Sequence, residues 1–240
     1  MAPASLQYDP ILAPYDYIRT STIALIEHDN VHTTLNPFIP NARVLELACG
    51  SGFYTYDLLK WGASSVVGVD ISAVIMDKAR SVGEEMGAGE RVAFIQADCA
   101  VPKMFRNVAV NLKEGGRFVS ITVPPSENPI DSLNAEATAR PEPEGSGYLM
   151  YKHIKDVEDG IFFGVHGETP VGKLYFECYH LRKEVYEEAA REAGLKGTLE
   201  WGVTEVPERF LTEDAPGGAT LRELETYKSI PAHGILVITK

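Results

Sequence analysis

The sequence predicts an α/β protein built on a mostly parallel sheet, with an antiparallel edge strand and a small antiparallel β cap inserted into it. Three observations predict this. Residues 43–97 alternate short apolar runs with stretches of helical spacing, the pattern of parallel strands joined by crossover helices. Residues 148–179 turn aromatic and β-branched, split by turn signals, as in an antiparallel meander. Residues 198–206 and 234–239 then supply two more apolar runs, placed to pair at an edge.

Each element has a local reason. The first strand, 43–48 (RVLELA), follows Pro40-Asn41 and ends in Cys49-Gly50-Ser51-Gly52. A helix over 53–61 follows, with Tyr54, Leu58 and Trp61 on one face, the i, i+4, i+7 spacing of a helix. Residues 65–70 (SVVGVD) are a buried-type strand, and Ser72 reads as the N-cap of a helix over 73–86, since its hydroxyl can accept from a first-turn N–H. Residues 91–97 (RVAFIQA) give a third strand, and 103–112 a helix with Met104, Val108 and Leu112 on one side. Gly115-Gly116 stops that helix before the strand 117–123 (RFVSITV), which Pro124-Pro125 ends. Residues 126–144, rich in Pro, Ser, Asn and Glu, read as a mobile loop. The meander strands 148–156, 160–166 and 173–179 are separated by Glu158-Asp159-Gly160 and Pro170-Val171-Gly172. An amphipathic helix over 182–193 stops at Gly194, and Thr220-x-x-Glu223 is a capping box for a short helix.

Composition narrows the classes. The 240 residues carry 22 Lys and Arg against 34 Asp and Glu, a net charge of −12, which argues against a general affinity for nucleic acid or an anionic membrane. No apolar run reaches the ~18 residues of a membrane helix, and residues 1–14 lack the basic and apolar regions of a secretory signal. The three cysteines, Cys49, Cys99 and Cys178, form no CxxC pair and no ligand set for zinc, so no metal is expected. A reducing, cytoplasmic setting is expected. Cys49 and Cys99, read as lying at the ends of adjacent strands, are expected to pack rather than react.

The segment 44–55 (VLELACGSGFYT) carries the chemistry. Its glycine-rich turn between strand and helix lets a ligand approach the backbone and a helix N-terminus. Glu46 lies inside the strand, and Asp70 closes the next strand 18 residues after Gly52, where an acid can hold a ribose diol. A dinucleotide fingerprint would need a third glycine, but Thr55 stands there. An acid in the first strand also sits badly beside a pyrophosphate and suits a cationic group such as an ammonium. A third acid, Asp98, follows the third strand.

This arrangement resembles the class I S-adenosylmethionine-dependent methyltransferases, and so implies a Rossmann-like core. Residue by residue, the resemblance gives the methionine part of the cofactor to Glu46, Ala48, Gly50 and Gly52. It gives the ribose to Asp70 and Ile71, and the adenine to Asp98 and Cys99. Ala48 stands where the family often has glycine. The resemblance implies S-adenosyl-L-methionine as cofactor. The N-terminal YDPILAPYDY (8–17) looks like the lid of the small-molecule branch, with Tyr15 closing over the cofactor or touching its sulfur. The whole chain looks similar to methyltransferases of toxin and natural-product biosynthesis, which implies secondary metabolism and a small organic acceptor, with no nucleic acid or membrane partner. Oligomeric state is left open, a homodimer included. The expected organisation is one domain over 1–240, with a lid at 1–35, a core at 36–125 and 182–240, and a cap at 126–181.

One departure stands out. Gly115 comes only 17 residues after Asp98, room for one helix. The family has a further strand and helix there, which need on the order of 25–35 residues. Two readings follow. Residues 117–123 take the vacant place beside 44–48 and make a six-stranded sheet, or the chain is a truncated isoform or impaired relative acting as a binding or regulatory protein. A nicotinamide-dependent oxidoreductase is a third reading, from Gly50-x-Gly52 with Asp70, against which Thr55 and Glu46 count.

If the acceptor is a hydroxyl or an acidic carbon, a general base helps. His153, His166 and His180 lie in the cap. Strand alternation can aim His166 and Phe162 to one side, and His166, between the bends at Gly164 and Gly167, is the expected base. Histidines in a meander are more commonly surface or hydrogen-bonded residues, and Tyr15 would equally staple the N-terminal segment.

Overall fold

A computed structural model describes residues 8–99, 101–139, 148–212 and 214–240. In chain order the elements are α1 (Leu12–Ile18), α2 (Thr22–Leu35), β1 (Arg43–Leu47), α3 (Phe53–Lys60), β2 (Ser65–Asp70), α4 (Ala73–Glu85), β3 (Val92–Gln96), α5 (Val101–Asn111), β4 (Arg117–Thr122), α6 (Pro129–Ala139), β5 (Tyr148–Val157), β6 (Gly160–Thr169), β7 (Gly172–Leu181), α7 (Lys183–Glu192), β8 (Leu199–Val203), α8 (Leu221–Ser229) and β9 (Gly234–Thr239). None of these helices is long and apolar enough to cross a membrane. The chain forms two compact units, one of residues 8–12 and 32–104, the other of 13–31 and 105–240.

The first unit holds a parallel sheet in the order β1-β2-β3. Ile39, Leu58, Ala63 and Val66 form its core, with Val44, Tyr54 and Trp61 packed against them. The predicted face of α3 therefore buries as its spacing requires. The helix α4 starts where expected, Ser72 Oγ accepting from the Ile75 N–H at 3.2 Å, and buries Ile75, Met76 and Ala79. The Tyr56 hydroxyl donates to the Ala79 carbonyl and locks α3 to α4. That lock needs Gly83, where a Cβ would lie 2.6 Å from the Tyr56 hydroxyl.

The second unit holds two antiparallel sheets, β4-β9-β8 and β5-β6-β7. The predicted edge pair is present as β8 and β9, and α8 carries its capping box between Thr220 and Glu223. The meander alternates as strands must. Ile161, Phe163 and Val165 of β6 turn to one face and pack with Leu133, Ile130, Leu149, Tyr151, Phe176, Cys178 and Val123. Phe162 and His166 turn to the other, against Tyr179 and Tyr175.

Three expectations are corrected. Residues 129–139, expected inside a mobile loop, form α6. Pro129 suits a first helical position, Asn128 Nδ2 donates to Asp131 at 2.6 Å, and Ile130 and Leu133 find apolar partners on the meander. Polar composition hid those two anchors; residues 140–147 of the expected loop lie outside the described ones. Second, Cys49 and Cys99 do not follow adjacent strands, because β2 runs between β1 and β3.

Third, no ladder joins β4 to β1 among the described residues. Among the described residues β1 pairs with β2 alone and β4 with β9 alone. The cause is local. After α5 the chain turns at once into β4, and Gly115 N–H donates to the Lys240 carbonyl at 3.0 Å while Lys240 N–H donates to Gly116. Lys240 Nζ caps α5 through the carbonyls of Ala109 and Leu112, at 2.6 and 2.7 Å. Phe105 is fully buried against Phe118 at 5.5 Å. These bonds commit β4 to the β9 sheet.

Candidate functional site

The site grows from the carboxyl ends of β1, β2 and β3, where open α/β sheets bind ligands. After β1 the backbone turns left-handed three times, at Ala48 (φ +58°), Gly50 (φ +54°) and Gly52 (φ +83°). Gly52 is the N-cap of α3, and a Cβ there would meet the Tyr56 ring at 2.8 Å, so glycine is required. At Gly50 a Cβ would meet nothing within 4 Å. The turn therefore presents bare backbone to open space, which is what a ligand lying on a helix N-terminus needs.

Asp70 holds this turn in place. Its buried carboxylate accepts the Gly50 N–H on Oδ2 and the Ser72 N–H on Oδ1, both at 2.9 Å. A carboxylate offers about four lone-pair positions, so two remain for hydroxyls of a ligand. Ile71 follows, its carbonyl accepting from Gln96 Nε2 at 3.0 Å, which ties the end of β2 to the end of β3. Glu46, half-buried on β1, accepts from the Thr55 hydroxyl at 2.5 Å.

The third strand reaches the same place. The Cys99 thiol lies against the Ala48 backbone, and burial first, then Asp70 and Asp98, raise its pKa. Asp98 itself is exposed. Cys49 is buried, and burial, with Glu46 and Asp70 nearby, pushes its thiol far up. Neither thiol is a ready nucleophile, since the thiolate is the reactive form.

The structure thus brings Glu46, Ala48, Gly50, Gly52, Asp70, Ile71 and Cys99 to one end of one sheet, with Asp98 just after β3. Sequence reasoning missed three neighbours. Thr55 stands where a dinucleotide fingerprint needs glycine, and its hydroxyl orients Glu46. Ser72 caps α4, and its hydroxyl also donates to Asp9 Oδ1 at 2.7 Å. Asp9, in the expected lid, carries no sequence signal beyond its place before Pro10.

Tyr15 and His166 belong to the second unit. Tyr15 packs edge-on against Phe176 at 6.3 Å, with the Arg19 guanidinium 5.8 Å from its ring. His166 is half-buried, 4.6 Å from the Tyr175 ring. Tyr175 in turn donates to Glu177 at 2.6 Å. This is the face of the meander turned away from Phe163 and Val165.

The arrangement can hold a ligand that has a cationic group, vicinal hydroxyls and no phosphate. Glu46 and Asp70 present acceptor oxygens and negative charge beside a bare backbone turn. S-adenosylmethionine meets that description, through its ammonium and its ribose diol. A pyrophosphate does not, because two carboxylates would repel it.

Residues 44–108, about a quarter of the chain, match the sequence profile of a family described as a methyltransferase domain. Two solved structures share the fold. An S-adenosylmethionine-dependent methyltransferase from Mesorhizobium loti aligns with a TM-score of 0.57 at 18% identity, over 90% of this chain and 98% of that one. A protein from Pyrococcus horikoshii OT3 aligns with a TM-score of 0.53 at 18% identity, over 92% of this chain and 95% of that one. No curated protein matches the sequence. The fold is the Rossmann-like fold of class I methyltransferases, and the matched segment 44–108 spans Glu46, Ala48, Gly50, Gly52, Asp70, Ile71, Asp98 and Cys99 but not Tyr15.

Proposed function

We propose that this chain is an S-adenosylmethionine-dependent methyltransferase acting on a small organic acceptor. The observation that carries the reading is the turn after β1, held open by Asp70 and flanked by Glu46, inside a segment that matches a methyltransferase domain. When bound, the cofactor supplies an electrophilic methyl group on a sulfonium.

The chain's own residues bind and orient. Glu46, fixed by Thr55, faces the ammonium, and the bare backbone from Ala48 to Gly52 lies along the methionine part. Asp70 takes the ribose hydroxyls on its two remaining lone-pair positions, with Ile71 beside it. Asp98 and Cys99 border the adenine. Methyl transfer needs an aligned nucleophile, and positioning supplies much of the rate. The proposed setting is cytoplasmic, and the proposed acceptor class is that of secondary metabolism, on the sequence resemblance alone. His166 is a proposed proton acceptor for a molecule bound on the Tyr175 face of the meander, and Tyr15 a proposed lid residue.

A second reading rests on the short interval between Asp98 and Gly115, which among the described residues holds α5 alone where the resemblance implies a further strand and helix. That reading makes the chain a binding protein, or a truncated isoform with weak turnover.

The test is label transfer from methyl-tritiated S-adenosylmethionine to a panel of phenols, carboxylic acids and amines. Acceptor-dependent label, lost in Asp70→Ala, supports the enzyme. Label on no member of the panel, with cofactor binding intact, supports the second reading.

A further inference from the structure

The carboxylate that holds the turn after β1 is itself tied to a residue from far along the chain. Ser72 is 2% exposed, and its hydroxyl makes two bonds. Oγ accepts the Ile75 N–H at 3.2 Å as the cap of α4. It donates to Asp9 Oδ1 at 2.7 Å, 63 residues away in sequence. The N–H of the same serine donates to Asp70 Oδ1 at 2.9 Å. Asp9, Ser72 and Asp70 thus form one chain of hydrogen bonds, which Asp70 Oδ2 extends to the Gly50 N–H.

The segment that carries Asp9 is shaped by its own sequence. Pro10 sits early in a 3₁₀ turn over Asp9–Ile11, where its fixed φ suits the turn. Ile11 is buried and anchors the turn from the apolar side. Residues 8–12 belong to the first unit, together with β1, β2 and β3.

The direction of the Ser72 proton matters to Asp70. A carboxylate offers about four lone-pair positions, and the N–H groups of Gly50 and Ser72 occupy two of them. The other two are the positions proposed for the ribose hydroxyls. Without Asp9, the buried Ser72 hydroxyl has two courses. It stays orphaned, which is costly for a buried donor, or it turns to the carboxylate that already holds its own N–H and takes one of those positions. Either course disturbs the group that receives the ribose.

We propose that Asp9 is a positioning residue for the ribose of the cofactor: by accepting the Ser72 proton it leaves Asp70 open to both hydroxyls. This deepens the methyltransferase reading and rests on it. It makes residues 8–12 a working part of the cofactor site. By linkage, the factor by which Asp9 strengthens cofactor binding is the factor by which bound cofactor strengthens the docking of residues 8–12.

The probes are S-adenosylhomocysteine and its 2′,3′-dideoxyribose analogue, alike except for the diol, titrated by calorimetry into the full chain. Asp9→Ala should weaken S-adenosylhomocysteine about tenfold, in the range of one hydrogen bond to a charged acceptor, and leave the dideoxy analogue within about twofold. Asp9→Asn keeps an oxygen for the Ser72 hydroxyl and should restore binding of S-adenosylhomocysteine to within about threefold of the wild type. A loss that is merely structural would weaken both compounds alike. A second measurement needs no variant. Amide exchange over residues 8–12 of the wild type should slow on saturation with S-adenosylhomocysteine. Equal loss of both compounds in Asp9→Ala, no loss of either, failure of Asp9→Asn to restore binding, or exchange over residues 8–12 that ignores the ligand would overturn the proposal. Wild-type binding of S-adenosylhomocysteine that Asp9→Ala leaves intact sinks the role of Asp9 alone, whereas a wild type that binds no S-adenosylhomocysteine sinks the methyltransferase reading and this proposal with it.

Discussion

Replacing Asp70 by Asn changes one oxygen into an NH₂ and leaves the shape alone. In the wild type each carboxylate oxygen accepts a different backbone N–H, from Gly50 and from Ser72, at 2.9 Å. Asn offers one oxygen, so one of the two N–H groups must face a donor. A hydrogen bond to a charged acceptor is worth about 1.5–3 kcal/mol, and a buried unsatisfied N–H costs about 1–3 kcal/mol. Asp70 is 9% exposed, so solvent screens little of this. The expected loss is about 2–4 kcal/mol in the turn after β1. At ~1.4 kcal/mol per tenfold, that is roughly 30- to 1,000-fold faster local opening. Amide hydrogen exchange reads it directly at Gly50 and Ser72, with the amides of β6 as the internal control. Exchange at both positions within twofold of the wild type would show that Asp70 does not hold the turn, and the argument for a preformed site would fail with it.

The remaining predictions concern other parts of the molecule. Thr55→Val removes the hydroxyl that orients Glu46 and should weaken S-adenosylhomocysteine binding by up to the worth of one charge-assisted hydrogen bond, roughly 10- to 150-fold, as read by calorimetry. Leu133→Ala empties a buried position between α6 and the meander and should cost about 2–4 kcal/mol in urea unfolding followed through the second unit. His180 is held neutral in the folded chain with a lowered pKa. Its contribution is therefore fully present above pH 6.5 and is lost as pH falls below that value towards the folded pKa. The acid-side slope of stability should shrink in His180→Gln. Burial holds Cys49 and Cys178 as thiols, so both should label more slowly with iodoacetamide at pH 8 in the native protein than in urea.

Much of the first unit was legible in the sequence, because periodicity and turn chemistry act locally. The runs 43–48, 65–70 and 91–97 became three paired parallel strands, and Ser72 capped the helix expected of it. The acids were legible by spacing, since strand length fixes which residue reaches the carboxyl end. Thr55 was not, because its role depends on a contact with a residue on another element. The helix α6 was missed because its two apolar anchors are outnumbered by polar neighbours, and only the meander surface gives them a purpose. The pairing of β4 was not legible either. A strand's pattern shows that it is buried but not which strand lies beside it, and Lys240 with Gly115 and Gly116 decides that here. The shortfall between Asp98 and Gly115 was visible by counting, and α5 is the one element among the described residues of that interval.

The central claim is that the ends of β1, β2 and β3 form a working S-adenosylmethionine site even though, among the described residues, α5 alone lies between β3 and β4. Calorimetric titration with S-adenosylhomocysteine measures this most directly. The account predicts saturable one-site binding, weakened at least tenfold by Asp70→Ala, with no heat from a nicotinamide dinucleotide. No binding at millimolar S-adenosylhomocysteine, or preferential binding of the dinucleotide, would contradict it.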